Sequence, residues 1–270
     1  MVKFMFWNIN GKPLAALIRE IVAAHGVDIV ILAECRIAPG EFLRDWRLPD
    51  TAPLQHIQIL SESIKVFSTF SPDFFRPLFE SPRLSIMRVT LPARQEITLC
   101  AVHLPSKLHW SPESQVLECT SLARRLREIE AKVAHTKTVV VGDLNMNPFE
   151  VGVVGAAGLN ATMGRQLASR GARVVQGETY PFLYNPMWNH FGDHGKTACG
   201  SYYYDAGEHV NYYWNIFDQL LIRPELLTRF PADGVRVLTE SPSVPLLTDD
   251  GRPDTRVGSD HLPLVFHLDL

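Results

Sequence analysis

The sequence predicts an α/β protein of stacked mixed β-sheets with helices on the outside. Three observations predict it. Apolar runs of strand length recur along the whole chain, amphipathic stretches of helical period separate only some of them, and two neighbouring strands lie close enough to form a hairpin. That hairpin breaks the strict alternation of strand and helix that a doubly wound parallel fold requires.

Residues 2–7 read as a strand, and 13–25 as a helix opened by Gly11-Lys12-Pro13. Residues 28–33 form a buried strand, followed by a loop rich in proline and charge to about Leu54. Strands are expected at 64–70, 84–91 and 97–103, the last two paired through Pro92-Ala93-Arg94-Gln95. Residues 112–135 make the best helix, with Leu117, Leu122, Leu126 and Ile129 on one apolar face opposite Arg124, Arg127, Glu128 and Lys132. Strands at 138–141, 216–222, 235–238 and 262–268 complete the set. No internal repeat, Gly/Ser linker or low-complexity tract divides the chain, so a single domain over residues 1–270 is expected.

Composition narrows the class. Hydrophobic residues at 46% and charged residues at 20% supply a sizeable core and an ordinary polar surface. No apolar run approaches the ~20 residues of a membrane span. Lys3, Asn8 and Asn10 interrupt the short apolar start, against a signal peptide. Cys35, Cys100, Cys119 and Cys199 show no C-x-x-C spacing, which fits a reducing cytoplasm better than a disulfide framework. A net charge of −3 argues against bulk electrostatic binding of nucleic acid, but not against a phosphodiester met through a bound metal.

Chemistry is concentrated where polar residues end apolar runs. Residues 2–7 end in Asn8, 29–33 in Glu34, Ala101-Val102 in His103, and Val139-Val140-Val141-Gly142 in Asp143 with Asn145 just after. Asp218 interrupts the 216–222 run, and Asp260-His261 stands before the last strand. Parallel strands leaving one rim and antiparallel strands entering it gather these groups at one edge. Taken singly, each is a turn former, a cap or a satisfied polar residue; together they make an oxygen-rich rim suited to a hard cation such as Mg²⁺ rather than zinc.

Trp7-Asn8-Ile9-Asn10-Gly11, Ala33-Glu34-Cys35, Val102-His103-Leu104, Gly142-Asp143-Leu144-Asn145, Phe217-Asp218-Gln219 and Gly258-Ser259-Asp260-His261-Leu262-Pro263-Leu264 occur in the order of the endonuclease/exonuclease/phosphatase superfamily. The resemblance spans nearly the whole chain and implies a four-layer α/β sandwich, two packed mixed sheets flanked by helices. It implies hydrolysis of a phosphate ester with Mg²⁺ or Mn²⁺, Glu34 and Asp260 ligating the ion and Asn8 or Asn10 completing or orienting the shell. It further implies that Asp143 orients or deprotonates the attacking water, held by Asn145, and that His261 contacts the phosphate while Asp218 keeps its imidazole charged. Nuclease members typically leave a 5′-phosphate.

Two departures bear on the branch. His103 stands where exonuclease III and abasic-site endonucleases carry tyrosine, making it a second acid/base or phosphate-contact candidate. Gln219 replaces the arginine usual in 5-phosphatases and deoxyribonuclease. All seven tyrosines lie between Tyr180 and Tyr213, with Trp188 and Trp214 nearby. The Tyr202-Tyr203-Tyr204 run cannot all face one core, so Tyr203 and Trp214 are candidates for stacking on a base, the alternative being loop packing. Lys107 could reach a phosphate or remain solvated. Arg124, Arg125 and Arg127 form an exposed helix face with partners such as Glu128. His190, His194 and His209 lack metal-ligand spacing. The sequence thus predicts a nuclease acting on DNA or RNA, alone or within a larger assembly. The alternative is a phosphatase or phosphodiesterase acting on a nucleotide, inositol phosphate or lipid head group.

Overall fold

The computed structural model describes residues 1–44, 46, 53–92, 95–193, 198–207 and 209–270. The expected turn at Ala93-Arg94, part of the loop before Leu54, and His194 lie outside them. In chain order the strands begin with β1 (Val2–Asn8), β2 (Ile29–Ala33), β3 (Gln55–Ile57) and β4 (Ile64–Ser68). Next come β5 (Phe75–Ser81), β6 (Leu84–Thr90), β7 (Glu96–His103) and β8 (Thr138–Asp143). Short strands follow: β9 (Ala161–Thr162), β10 (Ala172–Val175), β11 (Glu178–Pro181), β12 (Leu183–Tyr184), β13 (Tyr202–Tyr203) and β14 (Trp214–Asn215). The last three are β15 (Asp218–Ile222), β16 (Val235–Val237) and β17 (Leu264–Leu268). The α-helices are α1 (Ala15–His25), α2 (Pro39–Leu43), α3 (Pro112–Val133), α4 (Val151–Val154) and α5 (Arg165–Ala168).

Two mixed sheets carry the fold. One has six strands in the order β16-β17-β1-β2-β4-β3, the other seven in the order β5-β6-β7-β8-β15-β12-β9. Each has a parallel pair at its centre, β1 with β2 and β7 with β8, flanked by antiparallel partners. Period-two alternation then sorts the side chains. Phe4, Phe6, Ile29 and Ile31 of the first sheet meet Leu99, Ala101, Val139, Val141 and Leu220 of the second in one core between the sheets. The opposite faces are covered too. Met5, Trp7, Val30 and Leu32 pack under Leu17, Ile18, Ile21 and Val22 of α1, while Val102, Val140 and Leu221 pack under Cys119, Leu122 and Leu126 of α3. Four layers result, as the resemblance implies. Strands buried on both faces read as continuous apolar runs, which explains why these were visible in the sequence.

The helices show where pattern and packing differ. α3 is opened by Ser111, whose hydroxyl accepts from the Ser114 N–H, with Pro112 in the first turn. Its buried stripe is Gln115, Cys119, Leu122, Ala123, Leu126, Ile129 and Glu130. Leu117, expected on that stripe, is 70% exposed. The reason is angular: five residues separate it from Leu122, and at about 100° per residue it points roughly 140° away. Arg125 pairs with Glu128 at 2.8 Å, one turn on, and lies over Phe79. α1 starts at Ala15, two residues later than expected, and Leu14 gives it no side-chain cap. The edge strand β5 was missed because exposed Arg76 and Pro77 interrupt its apolar pattern.

Candidate active site

The rim is the continuation of the inner-face rows. Phe4 and Phe6 lead to Asn8, Leu99 and Ala101 to His103, Val139 and Val141 to Asp143, and, along the antiparallel β15, Ile222 and Leu220 to Asp218. Asp143 sits opposite His103 on one side and Asp218 on the other. Gly142 sets the spacing of that row: a Cβ there would lie 1.9 Å from the Val102 carbonyl oxygen. Glu34 is one residue past the end of β2, so alternation alone would turn it outward. Its left-handed backbone, φ 51°, returns the side chain to the rim.

Asp143 is the node. Asn8 Nδ2 donates to Asp143 Oδ2 at 3.0 Å and to Glu34 Oε1 at 3.1 Å, bridging two carboxylates that would otherwise repel. The Asn8 amide oxygen accepts from the Asn10 N–H at 3.0 Å, so the NH₂ group faces the rim. His103 Nε2 lies 3.3 Å from Glu34 Oε1 and 3.9 Å from Asp143 Oδ2. His261 Nε2 lies 3.9 Å from the same Asp143 oxygen, while its Nδ1 contacts Asp218 Oδ2 at 2.8 Å. Among the described residues Asp143, Asp218 and His261 form a group whose ligand atoms lie within 4.8 Å of one another.

Electrostatics follows from these contacts. His103 and Asn8, donating to Glu34, outweigh its burial and hold its carboxyl down at about 2. Burial alone would lower the His261 imidazole, but the charge and hydrogen bond of Asp218, with Asp143 and Asp260 adding, push it up to about 10. Burial raises the Asp218 carboxyl in turn, against the charge and hydrogen bond of His261, so the two form a buried hydrogen-bonded pair whose outer nitrogen, His261 Nε2, faces Asp143. Burial, then the charges of Asp260 and Asp143, pushes the Tyr202 phenol up to about 12. Asp260 is half-buried, accepts from the Ser259 hydroxyl at 3.0 Å, and lies close enough for its charge to act on both rings.

The remaining expected residues fall around this centre. The backbone N–H of Asn145, not its side chain, donates to Asp143 Oδ1 at 2.8 Å; the Asn145 amide reaches the Leu104 carbonyl instead. Asn10 is exposed in a left-handed turn, φ 47°. Lys107 pairs with Glu150, and its Nζ stands 5.1 Å from the centre of the Phe217 ring. Tyr203 and Trp214 pack edge to face at 5.5 Å, with Arg252 over Tyr203. Alternation turns Tyr202 the other way, onto His261 at 4.5 Å between ring centres, where it also stacks with Phe217 and Tyr204.

Sequence reasoning missed Tyr202, and it missed the buried polar ties behind the rim. Ser201 Oγ accepts from the Asp218 N–H at 3.2 Å. Asn147 donates to Asn215 at 2.8 Å, and Asn185 donates to Gln219 at 2.8 Å. Gln219 in turn donates to the Met146 and Ile216 carbonyls, so the residue that replaces arginine is a saturated internal brace. The asparagines just after the fourth polar strand end, Asn145 and Asn147, and just before the fifth, Asn215, were the available signal.

The site tests well for a hard cation. Its donors are the carboxylate oxygens of Glu34, Asp143 and Asp218 beside two imidazoles, with no thiol among them; the Glu34 carboxyl is held low and its side chain is 39% exposed, and Asp218 Oδ1 is a buried oxygen without a partner. Fold and site together define a phosphoesterase. The profile of the Endonuclease/Exonuclease/phosphatase family matches residues 5–261, and the chain belongs to that family. Solved structures similar to it include Danio rerio (D. rerio) TDP2 complexed with single strand DNA product, at 16% identity over 100% of this chain and 99% of that one, TM-score 0.54. A second is the 3′ phosphatase NExo from Neisseria bound to product DNA hairpin, at 15% identity over 100% of both chains, TM-score 0.55. A third is the Xenopus laevis APE2 catalytic domain, at 16% identity over 99% of this chain and 92% of that one, TM-score 0.54. Likeness at these identities shows the fold. No curated protein matches the chain. Among the described residues no helix is long and apolar enough to cross a membrane.

Proposed function

We propose that the protein is a Mg²⁺- or Mn²⁺-dependent nuclease that hydrolyses DNA or RNA phosphodiester bonds to leave 5′-phosphate ends. The observation that carries this reading is the convergence of Asn8, His103 and His261, from both sheets, on one oxygen of Asp143. Glu34 and Asp260 would hold the ion, which when bound polarises a phosphate oxygen and offsets developing charge. Asp143 orients and deprotonates the attacking water, fixed by the Asn8 amide and the Asn145 N–H. His261, charged through Asp218, donates to a phosphate oxygen, and His103 is the second group able to do so. Asn10 and Lys107 flank the centre as substrate contacts; Tyr203 and Trp214, the stacking candidates of the sequence, pack on each other on the face turned away from His261, and Tyr202 stands against that ring in their place. The DNA bound by TDP2 and NExo supports nucleic acid as the substrate class.

The test is a product assay on end-labelled single-stranded DNA, duplex DNA and RNA, each with Mg²⁺, Mn²⁺ or chelator. Metal-dependent cleavage to 5′-phosphate ends is expected, falling at least about 100-fold in His261→Ala. Cleavage that persists in chelator, or in His261→Ala, refutes the assignment. Inertness towards all three polymers with turnover of a small phosphate ester moves the substrate to the second class considered above.

A further inference from the structure

A cavity of about 370 Å³ opens at the other end of the first sheet, lined by Lys3, His25, Asp233, Arg236, Val265 and His267 among others. Register explains the company. Lys3 pairs with His267 across β1 and β17, and Arg236 pairs with Val265 across β16 and β17. Alternation puts all four on the face that carries Met5 and Trp7, where α1 packs. His25, the last residue of α1, closes the notch from above. Five residues of β1 separate Lys3 from Asn8, about 16 Å at ~3.3 Å per residue, so the notch is remote from the catalytic rim.

The notch brings two cationic side chains and two imidazoles together, with one acidic group on its lining. Lys3 Nζ donates to the His25 carbonyl at 2.7 Å, keeping two further N–H donors, and Arg236 Nη2 stands 3.5 Å from His25 Nδ1. Lys3 on β1 and Arg236 on β16 flank β17 from its two sides, so their charges add over the notch. The acidic groups nearby are Asp233 on the lining and Asp28, which accepts from the Lys3 backbone N–H at 2.8 Å. Among the described residues no ion pair takes up Lys3 or Arg236. The His25 imidazole registers their combined field: burial first, then the charges of Arg236 and Lys3, hold it below its usual value. The carbonyl end of α1 opposes an anion, but Lys3 already occupies the His25 carbonyl and the Gly26 N–H turns back to Ala23 and Val22.

We propose that this notch is an anion site, separate from the catalytic rim, that takes a phosphate dianion either free or as the phosphomonoester of a mononucleotide. Lys3 and Arg236 supply the charge, His25 and His267 complete the donors, and the volume suits a small ligand against the Val265 wall. The test is a ¹H–¹⁵N titration of the histidine side chains in metal-free protein with inorganic phosphate, with adenosine 5′-monophosphate, and with chloride at matched ionic strength. Saturable shifts of His25 and His267 are expected with both phosphates, unchanged in His261→Ala, and weakened about tenfold in Arg236→Gln and in Lys3→Met. Equal affinity for the two ligands assigns recognition to the phosphate alone; tighter binding of the nucleotide adds contacts along the apolar wall. Shifts that chloride reproduces, that fail to saturate, or that both notch variants leave intact overturn the proposal.

Discussion

Arg223 and Glu130 tie the end of β15 to α3, and removing one partner tests how the scaffold behind Asp218 is held. The pair is 3% and 6% exposed, with Nε–Oε1 at 2.8 Å and Nη2–Oε2 at 3.2 Å. Arg223 also donates to the Pro181 and Phe182 carbonyls, and Glu130 accepts from the Thr138 hydroxyl at 2.7 Å. Arg223→Met leaves a buried carboxylate with Thr138 as its main partner, which costs about 3–5 kcal/mol. Unfolding entropy of about 2.1 cal/mol/K per residue comes to roughly 0.57 kcal/mol/K over the 270 residues, so Tm falls by about 5–9 °C. Arg223→Met with Glu130→Leu removes the orphaned charge. It then leaves only the Thr138 hydroxyl and the Phe182 carbonyl short of a partner, the Pro181 carbonyl keeping the Asn160 amide at 3.3 Å, and ends about 1–2 kcal/mol below the parent. Urea denaturation and thermal melts of the parent, Arg223→Met, Glu130→Leu and the double variant check this. A loss under about 1 kcal/mol in Arg223→Met, or a double variant no more stable than it, refutes the reasoning.

Three further outcomes follow from particular residues. Leu126→Ala is expected to cost about 2–5 kcal/mol and exposed Leu117→Ala no more than about 0.5, measured by urea denaturation; equal losses would contradict the observed α3 stripe. At Glu34, φ 51° reverses the usual order of small residues, so Glu34→Gly should be about 1 kcal/mol more stable than Glu34→Ala, and the opposite order would remove the left-handed turn. Burial raises the Glu96 carboxyl, but Arg88 at 2.5 Å and His135 at 3.0 Å outweigh it and hold it below the usual range. A depressed carboxyl stabilises above its unfolded pKa and loses that contribution as pH falls through the folded one. The stability gap between the parent and Glu96→Gln should therefore close on acidification, and a gap that widens would reverse the sign.

The central strands of both sheets and the rim were legible because those strands are buried on two faces and end in single polar residues, whereas β3, β5, β9 and β12 towards the sheet edges were not. Asn8, Glu34, His103, Asp143 and Asp218 each announce themselves as a break in an apolar run. Three features were not readable. The direction of the Asn8 amide depends on which acceptors surround it in space, and its oxygen is taken by the Asn10 turn. The choice of Tyr202 over Tyr203 against His261 depends on the phase of a two-residue strand, which no long pattern sets. Gln219 reads as a lost arginine in sequence, whereas its role as a brace depends on carbonyls at Met146 and Ile216 that only the loops bring together.

The same alternation makes the core and the site one layer. Val141 lies on the inner row that leads to Asp143, and Val140, one residue earlier, faces α3. Both are fully buried, so Val→Ala at either position removes the same atoms from equally packed surroundings and should lower stability by a similar amount. Their effects on the rim should differ. A void at Val141 opens directly beneath Asp143 and lets its carboxylate shift against Asn8, His103 and His261. A displacement of about 1 Å at a reacting group is enough to cost on the order of 100-fold in rate. A void at Val140 lies on the far side of the strand, where α3 absorbs it. Phosphodiester hydrolysis normalised to folded protein should therefore fall well below the parent in Val141→Ala and stay near it in Val140→Ala. Equal losses in the two would mean that the strand transmits packing changes to its end regardless of face, and that the inner row does not by itself hold the site.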